Sequence, residues 1–546
     1  MEDRSTARFK WLRRVVREDK IPRIVRAYYK NHPSVDGDPD ELVKIIPPGT
    51  TPEQLLSMLL SHADLLFVET MQFTAAQVAE ASGLSEDVVH RVLDALSLLP
   101  GDLHGKNPEH LFMANPIWIA PIIALEGQYF CPLPQSIFSH INPIIHSLAE
   151  KASFLPQLEE RRANYLEKRV SDLLAAALPS ATVRNGIKWR VGDAGYETDH
   201  IALIDKIAVI VEDKSAALTG PGLRGAPDRV RRHVQDLIAD PSEQSARLED
   251  LIWRAKAGDP DAAQSLLAFD LDFGCVERVV RISVTLDYFS MLSSTEPELK
   301  RAGWIPAGLT LAPTLNLADF ESVIEILEKP SFLLHYFAER QRVQKDGHIF
   351  ADEMDFLGCY LETGLNLGDL QEQKLSLTLT GMSKSIDRYY DNNDAGVLVS
   401  KPKPKLAPYI ASLVNAIEAK AFPGWTTITT DLLRSGTYEE QRRLEKLMSE
   451  LKTKVERNWR DPKHECSLVV HSHPLQAAIL VFFVYPPQLV ERRKEIAEDL
   501  ALQIFDSRDC DRCVMICRNT ARWNVPYASV LICNRAKEVP GFGDIA

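Results

Sequence analysis

Cysteine is scarce in this chain: eight residues in 546, with no framework spacing among them. That excludes a disulfide-stapled scaffold and agrees with a reducing compartment. Long apolar runs are missing too. No stretch approaches the roughly 20 residues of a membrane span, and the N-terminal stretch is charged, without the apolar core of a secretory signal. A cytoplasmic protein with no membrane partner is expected. Positive charge is not in excess either. The net charge of −13 argues against a protein that coats nucleic acid indiscriminately, although it leaves room for a locally basic cleft. Internal repeats are absent. What remains is an ordinary globular composition, 45% hydrophobic and 25% charged. The length exceeds what one core organises and implies roughly three or four domains.

The most informative segment is Tyr196–Ser215, YETDHIALIDKIAVIVEDKS. Two β-branched apolar runs, His200–Ile204 and Ile207–Val211, flank a tight turn at Asp205 and Lys206, which reads as a β-hairpin. Folding about that turn sets Asp199 level with Glu212, and Glu197 level with Lys214. Side chains alternate along a strand, so Glu212 and Lys214 share one face, as do Glu197 and Asp199. A carboxylate then faces a carboxylate, with an ammonium one step along. Like charges opposite one another destabilise a sheet. A divalent cation would neutralise them, and oxygen ligands suit Mg²⁺ or Mn²⁺. A plain hairpin with surface charges accounts for the apolar runs but not for this register of two acids and a lysine. Asp213 lies between them and points to the opposite face, where burial demands a partner. Arg169, or one of Arg229, Arg231 and Arg232, is the expected one.

This constellation resembles the PD-(D/E)XK, or restriction-endonuclease-like, nuclease superfamily, close to its nuclease-related-domain and RecB-type branches. Asp199 matches the motif's first Asp, Glu212 its Asp/Glu and Lys214 its Lys. Upstream, Arg161–Leu178 reads as an amphipathic helix on which Glu167 matches the additional acid that many members carry. Downstream, Gln244–Leu248 (QSARL) is similar to the family's glutamine motif and is expected on a helix. The element order also fits: a helix, strands near Thr182–Val191, Glu197–Ile204 and Ile207–Asp213, a helix at Asp228–Ala239, and a strand at Val279–Leu286. This sequence departs from the pattern at Thr198, where the motif has Pro, at Leu248, where the glutamine motif has Tyr, and at the charged Asp213. The resemblance covers the middle third of the chain. It implies a Mg²⁺- or Mn²⁺-dependent nuclease acting on DNA more than RNA, with a role in defence or repair. Asp199, Glu212 and Glu167 would be metal ligands, and Asp199, Glu212, Lys214 and Gln244 the catalytic group, Gln244 by positioning a phosphate or Lys214. Arg224, Arg229, Arg231 and Arg232, in a glycine-containing loop-to-helix segment, suit phosphate contacts. A solvated helix face is the alternative reading of that segment.

The rest of the chain is less specific. Arg4–Lys30 alternates basic and apolar residues and reads as two short helices meeting near Pro22. A solvated face packed on the next domain is favoured over a nucleic-acid-binding arm. Phe73–Leu96 resembles a helix-turn-helix, with helices from Thr74 to Ser82 and from a cap at Ser85, and a turn at Gly83. Its second helix carries Glu86, Asp87, His90, Arg91 and Asp94, poor chemistry for a phosphate-lined groove, so a structural winged-helix-like module is favoured. Asn115–Leu133 is apolar and reads as core, and Leu317–Gln344 reads as helical. Lys401–Lys405 (KPKPK) is the best linker candidate. Beyond it, strands at Leu468–His471, Ala478–Val484, Cys513–Cys517 and Ala528–Cys533 alternate with helices. Cys510, Cys513 and Cys517, with His464, Cys466, His471 and His473, raise the question of zinc. The apolar run CVMIC instead favours core cysteines.

The expected architecture is a multidomain α/β protein. It comprises a basic helical arm (1–60), a helix-turn-helix-like module (61–150), a nuclease-like domain with a central mixed sheet flanked by helices (151–345), a helical connector (346–400) and a C-terminal α/β domain (401–546). Two other readings stay open. One is a catalytically inactive nuclease-fold scaffold that binds nucleic acid. The other is a structural partner of another protein, engaged through the C-terminal domain.

Overall fold

The structure is a computed structural model that describes residues 21–31, 33, 36–44, 54, 57, 71–105, 115–223, 225–346, 349–367, 376–458, 467–470, 478–507, 510 and 512–535. The chain divides into two compact units, 1–158 and 159–546, and is mixed α/β throughout. Of the residues singled out above, Arg224, His464, Cys466, His471, His473 and residues 4–20 lie outside the described ones.

In the first unit, helix α1 (Ile21–Asn31) starts one residue ahead of Pro22. Further on, β1 (Gln72–Phe73) leads into α2 (Ala75–Ser82) and α3 (Glu86–Ala95), followed by β2 (Ser97–Leu98), β3 (Ile122–Leu125) and β4 (Gln128–Phe130). The four strands pair in the order β1-β4-β3-β2. Thr74 and Gln77 form a reciprocal capping box on α2, and Gly83 ends that helix in the left-handed region at φ 71°, where glycine carries no Cβ penalty. Ser85 does occupy the N-cap of α3, but its side chain makes no capping hydrogen bond. The Asn115–Leu133 stretch is not uniformly core. Ile122, Tyr129 and Cys131 are buried while Ile123, Leu125 and Leu133 are exposed, because a short hairpin packs only one face.

The second unit begins within α4 (Leu155–Ala177). Strands β5 (Thr182–Val191), β6 (Ala194–Ile204) and β7 (Ile207–Lys214) follow. Next come α5 (Pro227–Val234), α6 (Asp240–Lys256), β8 (Arg278–Thr285) and β9 (Thr314–Asn316). The sheet order is β5-β6-β7-β8-β9. The first three strands are antiparallel, and β8 and β9 run parallel to β7. Strand β7 reads IAVIV because both its faces are covered. Leu166, Val170, Leu173 and Leu174 of α4, at helical spacing, pack with Val209 and Val211 on one face. Leu248, Leu251 and Ile252 of α6 pack with Ala208 and Ile210 on the other. Burial of each such side chain contributes roughly 1.5–3 kcal/mol. Between α5 and α6 the helix widens into a π-turn at Gln235–Ala239. Pro241, which has no N–H to bond back and crowds the preceding turn, accounts for it.

The expected Leu317–Gln344 helix is two, α7 (Leu317–Ile326) and α8 (Pro330–Asp346), with Pro330 opening the second. Lys401 and Lys405 lie in irregular chain tied down on its neighbours. Lys401 reaches the Glu325 carbonyl at 2.8 Å, and the Lys405 amide bonds the Leu361 carbonyl at 2.8 Å. Helix α9 (Trp425–Leu433) precedes a second sheet of β10 (Ser467–Val470), β11 (Ala478–Tyr485), β12 (Arg512–Asn519) and β13 (Ser529–Asn534), paired in that order. Helix α10 (Arg493–Ser507) joins β11 to the parallel β12. Cys513 and Cys517 are buried in β12. One apolar cluster runs from Leu166 and Val209 through Phe337 to Phe482 and Val514, so the two sheets share a core.

Candidate functional site

The hairpin folds about Asp205 and Lys206 as expected, with Ile204 opposite Ile207 and His200 opposite Val211. Asp205 stands at φ 49°, a conformation unfavourable for most side chains. Its carboxylate accepts from the Gly424 and Thr426 amides at 2.8 and 3.0 Å, capping α9, whose own N-cap is a glycine with no side chain. That tertiary bond holds the turn.

Beyond His200 the ladder between β6 and β7 stops. Asp199 turns its Oδ2 to accept the Asp213 amide at 2.8 Å. The side-chain alternation also slips here. Thr198 accepts the Trp189 indole N–H at 3.0 Å, among the side chains packed under α6, whereas His200, two residues on, reaches Asp213 on the α4 face. The slip coincides with Gly186 of β5, at φ 59°, which is skipped in the pairing of β5 with β6. Asp199 therefore drops out of the pairing with β5, although it and Glu197 line one cavity. Glu197 lies 4.0 Å from Lys188 of β5.

Glu212 is fully buried on the α6 side of the central strand, and neither carboxylate oxygen finds a donor in the protein. Burial first, then repulsion from Asp199, with whose carboxyl it can share a proton, and from Asp213 hold its carboxyl well above the usual carboxylate range, while Lys214 pulls the other way. Ser283, level with Glu212 on β8, is buried with its hydroxyl unpartnered. The Gln244 Oε1, on α6 over this face, is likewise buried without a partner. Lys214 is half-buried at the end of β7.

Asp213 is the one expected partner assignment that the structure overturns. Its Oδ2 lies 2.7 Å from His200 Nε2, and the other imidazole nitrogen lies 2.8 Å from Asn185 Oδ1. Asn185 in turn donates to Ser171 Oγ at 2.8 Å. Arg169 pairs with Glu321 at 2.5 Å instead, and Arg229, Arg231 and Arg232 are exposed on α5, with Arg231 bonding the Gly303 carbonyl. The reason is register. His200 stands opposite Val211 on the face that Asp213 also occupies, so a neutralising group one strand away is closer than any arginine on a helix. Burial raises the Asp213 carboxyl, and His200 opposes that rise.

Glu167 projects from α4 into the same neighbourhood. It lines a cavity of about 310 Å³ together with Asp199, His200 and Glu197. Its carboxyl is raised by partial burial and then by Asp199 and Asp213. Gln244 opens instead on a second cavity, which shares Glu197 as a wall. The structure thus brings Asp199, Glu212 and Lys214 together, with Glu167 at the rim and Gln244 on the covering helix, and leaves the arginines of α5 on the surface.

Among the described residues no group of three His, Cys, Asp or Glu side chains forms a ready cage for a metal ion. The donor set present is a pair of carboxylates, one with both oxygens free of protein donors. That fits Mg²⁺, which keeps several waters and is held by one or two carboxylates. Sequence reasoning missed the His200–Asn185–Ser171 chain, although the alternation that pairs His200 with Asp213 was readable from the hairpin. No protein-family model, curated protein or solved structure matches this chain.

Proposed function

We propose that the protein is a Mg²⁺- or Mn²⁺-dependent nuclease that hydrolyses phosphodiester bonds, in DNA more than in RNA. The observation that carries this reading is Glu212, a fully buried carboxylate without a donor, beside two other carboxylates and a lysine. Such a group is costly unless a cation or a proton neutralises it. The order of α4, three antiparallel strands, a helix and the parallel β8 supports a restriction-endonuclease-like domain.

Asp199 and Glu212 would hold the cation, and Glu167 would add a third carboxylate from the rim. When bound, the cation supplies Lewis acidity at the scissile phosphate. Lys214 orients the attacking water and offsets charge developing on the phosphate oxygens. Gln244 positions the phosphate. His200 holds the Asp213 side chain, and the Asp213 amide fixes the Asp199 carboxylate, so the acids are set before substrate arrives. Arg229, Arg231 and Arg232 are available for more distant phosphates.

Calorimetric titration with Mn²⁺ tests the donor set. Wild type is expected to bind, with affinity lowered roughly tenfold or more in Asp199→Ala and in Glu212→Gln. Unchanged affinity in both variants would remove these residues from the site.

A further inference from the structure

The second cavity, about 750 Å³, shares its Glu197 wall with the cavity of the acids, and of its lining only Gln244 enters the chemistry described above. Its walls carry Lys188, Arg190 and Arg247 around Trp189 and Tyr196, with Gln244 among its lining residues. Three cations line this concavity, of which Lys188 lies 4.0 Å from Glu197 and Arg247 3.4 Å from Glu243. Lys188 and Arg190 are exposed on β5, on either side of the buried Trp189. The aromatic groups pack against one another at a tilt. The Trp189 and Tyr196 rings lie 4.8 Å apart at 34°, and the Arg247 guanidinium lies 5.3 Å from the Tyr196 centroid. Trp189 is buried and anchored by Thr198. Arg247 is 44% exposed, so its guanidinium lies over the Tyr196 ring at the edge of the cavity.

A planar cation backed by two rings is a surface on which an unpaired base stacks. Flanking lysine and arginine suit the phosphates on either side of it. A duplex buries its base faces and cannot use such a stack. The cavity is also within the range of a small-ligand site, roughly 300–1,000 Å³, too small for the width of a double helix. From the nuclease reading, on which this inference rests, we infer that the cavity seats an unpaired nucleotide of a single strand. The base lies on Arg247 and the backbone passes Lys188 and Arg190 toward the acids, which share the Glu197 wall with this cavity. The substrate class is then single-stranded nucleic acid, or a duplex whose end has been opened.

Fluorescence anisotropy of the full chain in EDTA tests this without cleavage, using labelled oligo(dT), oligo(U) and a duplex of equal length. Both single strands, or one of them, should bind at least tenfold more tightly than the duplex, and the tighter arm identifies the sugar. Arg247→Ala should weaken single-strand binding roughly tenfold or more. Arg247→Lys keeps the charge and loses the plane, so it should weaken binding while leaving the salt dependence in place. Arg190→Ala should reduce the slope of log K against log salt by about 0.7. Duplex binding as tight as single-strand binding, or unchanged binding in both Arg247 variants at wild-type thermal stability, would overturn the assignment. Failure here with metal-dependent cutting intact sinks the cavity alone. Intact cavity binding with no cutting sinks the nuclease reading alone.

Discussion

At the scale of single residues, the account turns on Glu212. A buried carboxylate with no donor opposes folding when it is charged, so the metal-free protein should be less stable for having it. Glu212→Gln is expected to raise the stability of the EDTA-treated protein by roughly 1–3 kcal/mol and to abolish the stabilisation that Mg²⁺ gives the wild type. Urea unfolding with and without Mg²⁺ measures both, and a destabilised, still metal-responsive variant would contradict the assignment. The acids and the lysine were legible in the sequence because a tight turn and strand alternation fix which residues meet. The partner of Asp213 was equally derivable, since His200 lies on its face. An arginine was expected in its place because charge alone, without register, was used to choose among candidates.

At the scale of elements, the site depends on a defect in the hairpin. If β5 and β6 ran regularly past Gly186, Asp199 would stay in the ladder. The positive φ of Gly186 breaks that regularity, and a residue with a Cβ is strained there. Gly186→Ala should cost about 1 kcal/mol or more in stability and lower metal affinity, although residue 186 would touch no metal. A calorimetric titration showing wild-type affinity would separate the slip from the site. Apolar runs gave the strands within a few residues, because β7 is covered on both faces by α4 and α6. The slip was not legible, since a lone glycine in a strand does not state its φ. Nor was the π-turn before Pro241. The role of Asp205 was hidden for another reason. Its partners, Gly424 and Thr426, lie more than 200 residues along the chain.

At the scale of the whole molecule, the second unit holds together across its two larger sheets. Arg512 of β12 donates to Glu277 at 2.7 Å and to Asp431 at 2.6 Å, and Arg278 of β8 lies 3.6 Å from the same Asp431. With the shared apolar cluster, these contacts bind the five-stranded sheet to the C-terminal strands. A fragment of residues 159–400 should therefore fail to fold alone, read as loss of cooperative unfolding by circular dichroism. A cooperative transition in that fragment would show an independent domain. The alternating strands after residue 466 were readable from their apolar runs. Their shared core was not, because burial on a partner sheet leaves the same apolar signature as burial within one's own.

The most direct test of the central claim is cleavage of single-stranded and duplex DNA with Mg²⁺ or EDTA, wild type beside Lys214→Ala. The account predicts metal-dependent cutting by the wild type and a loss of roughly 10²-fold or more in the variant, with its fold intact because Lys214 is half-buried at a strand end. Equal cutting by the two proteins, or cutting that persists in EDTA, would contradict it.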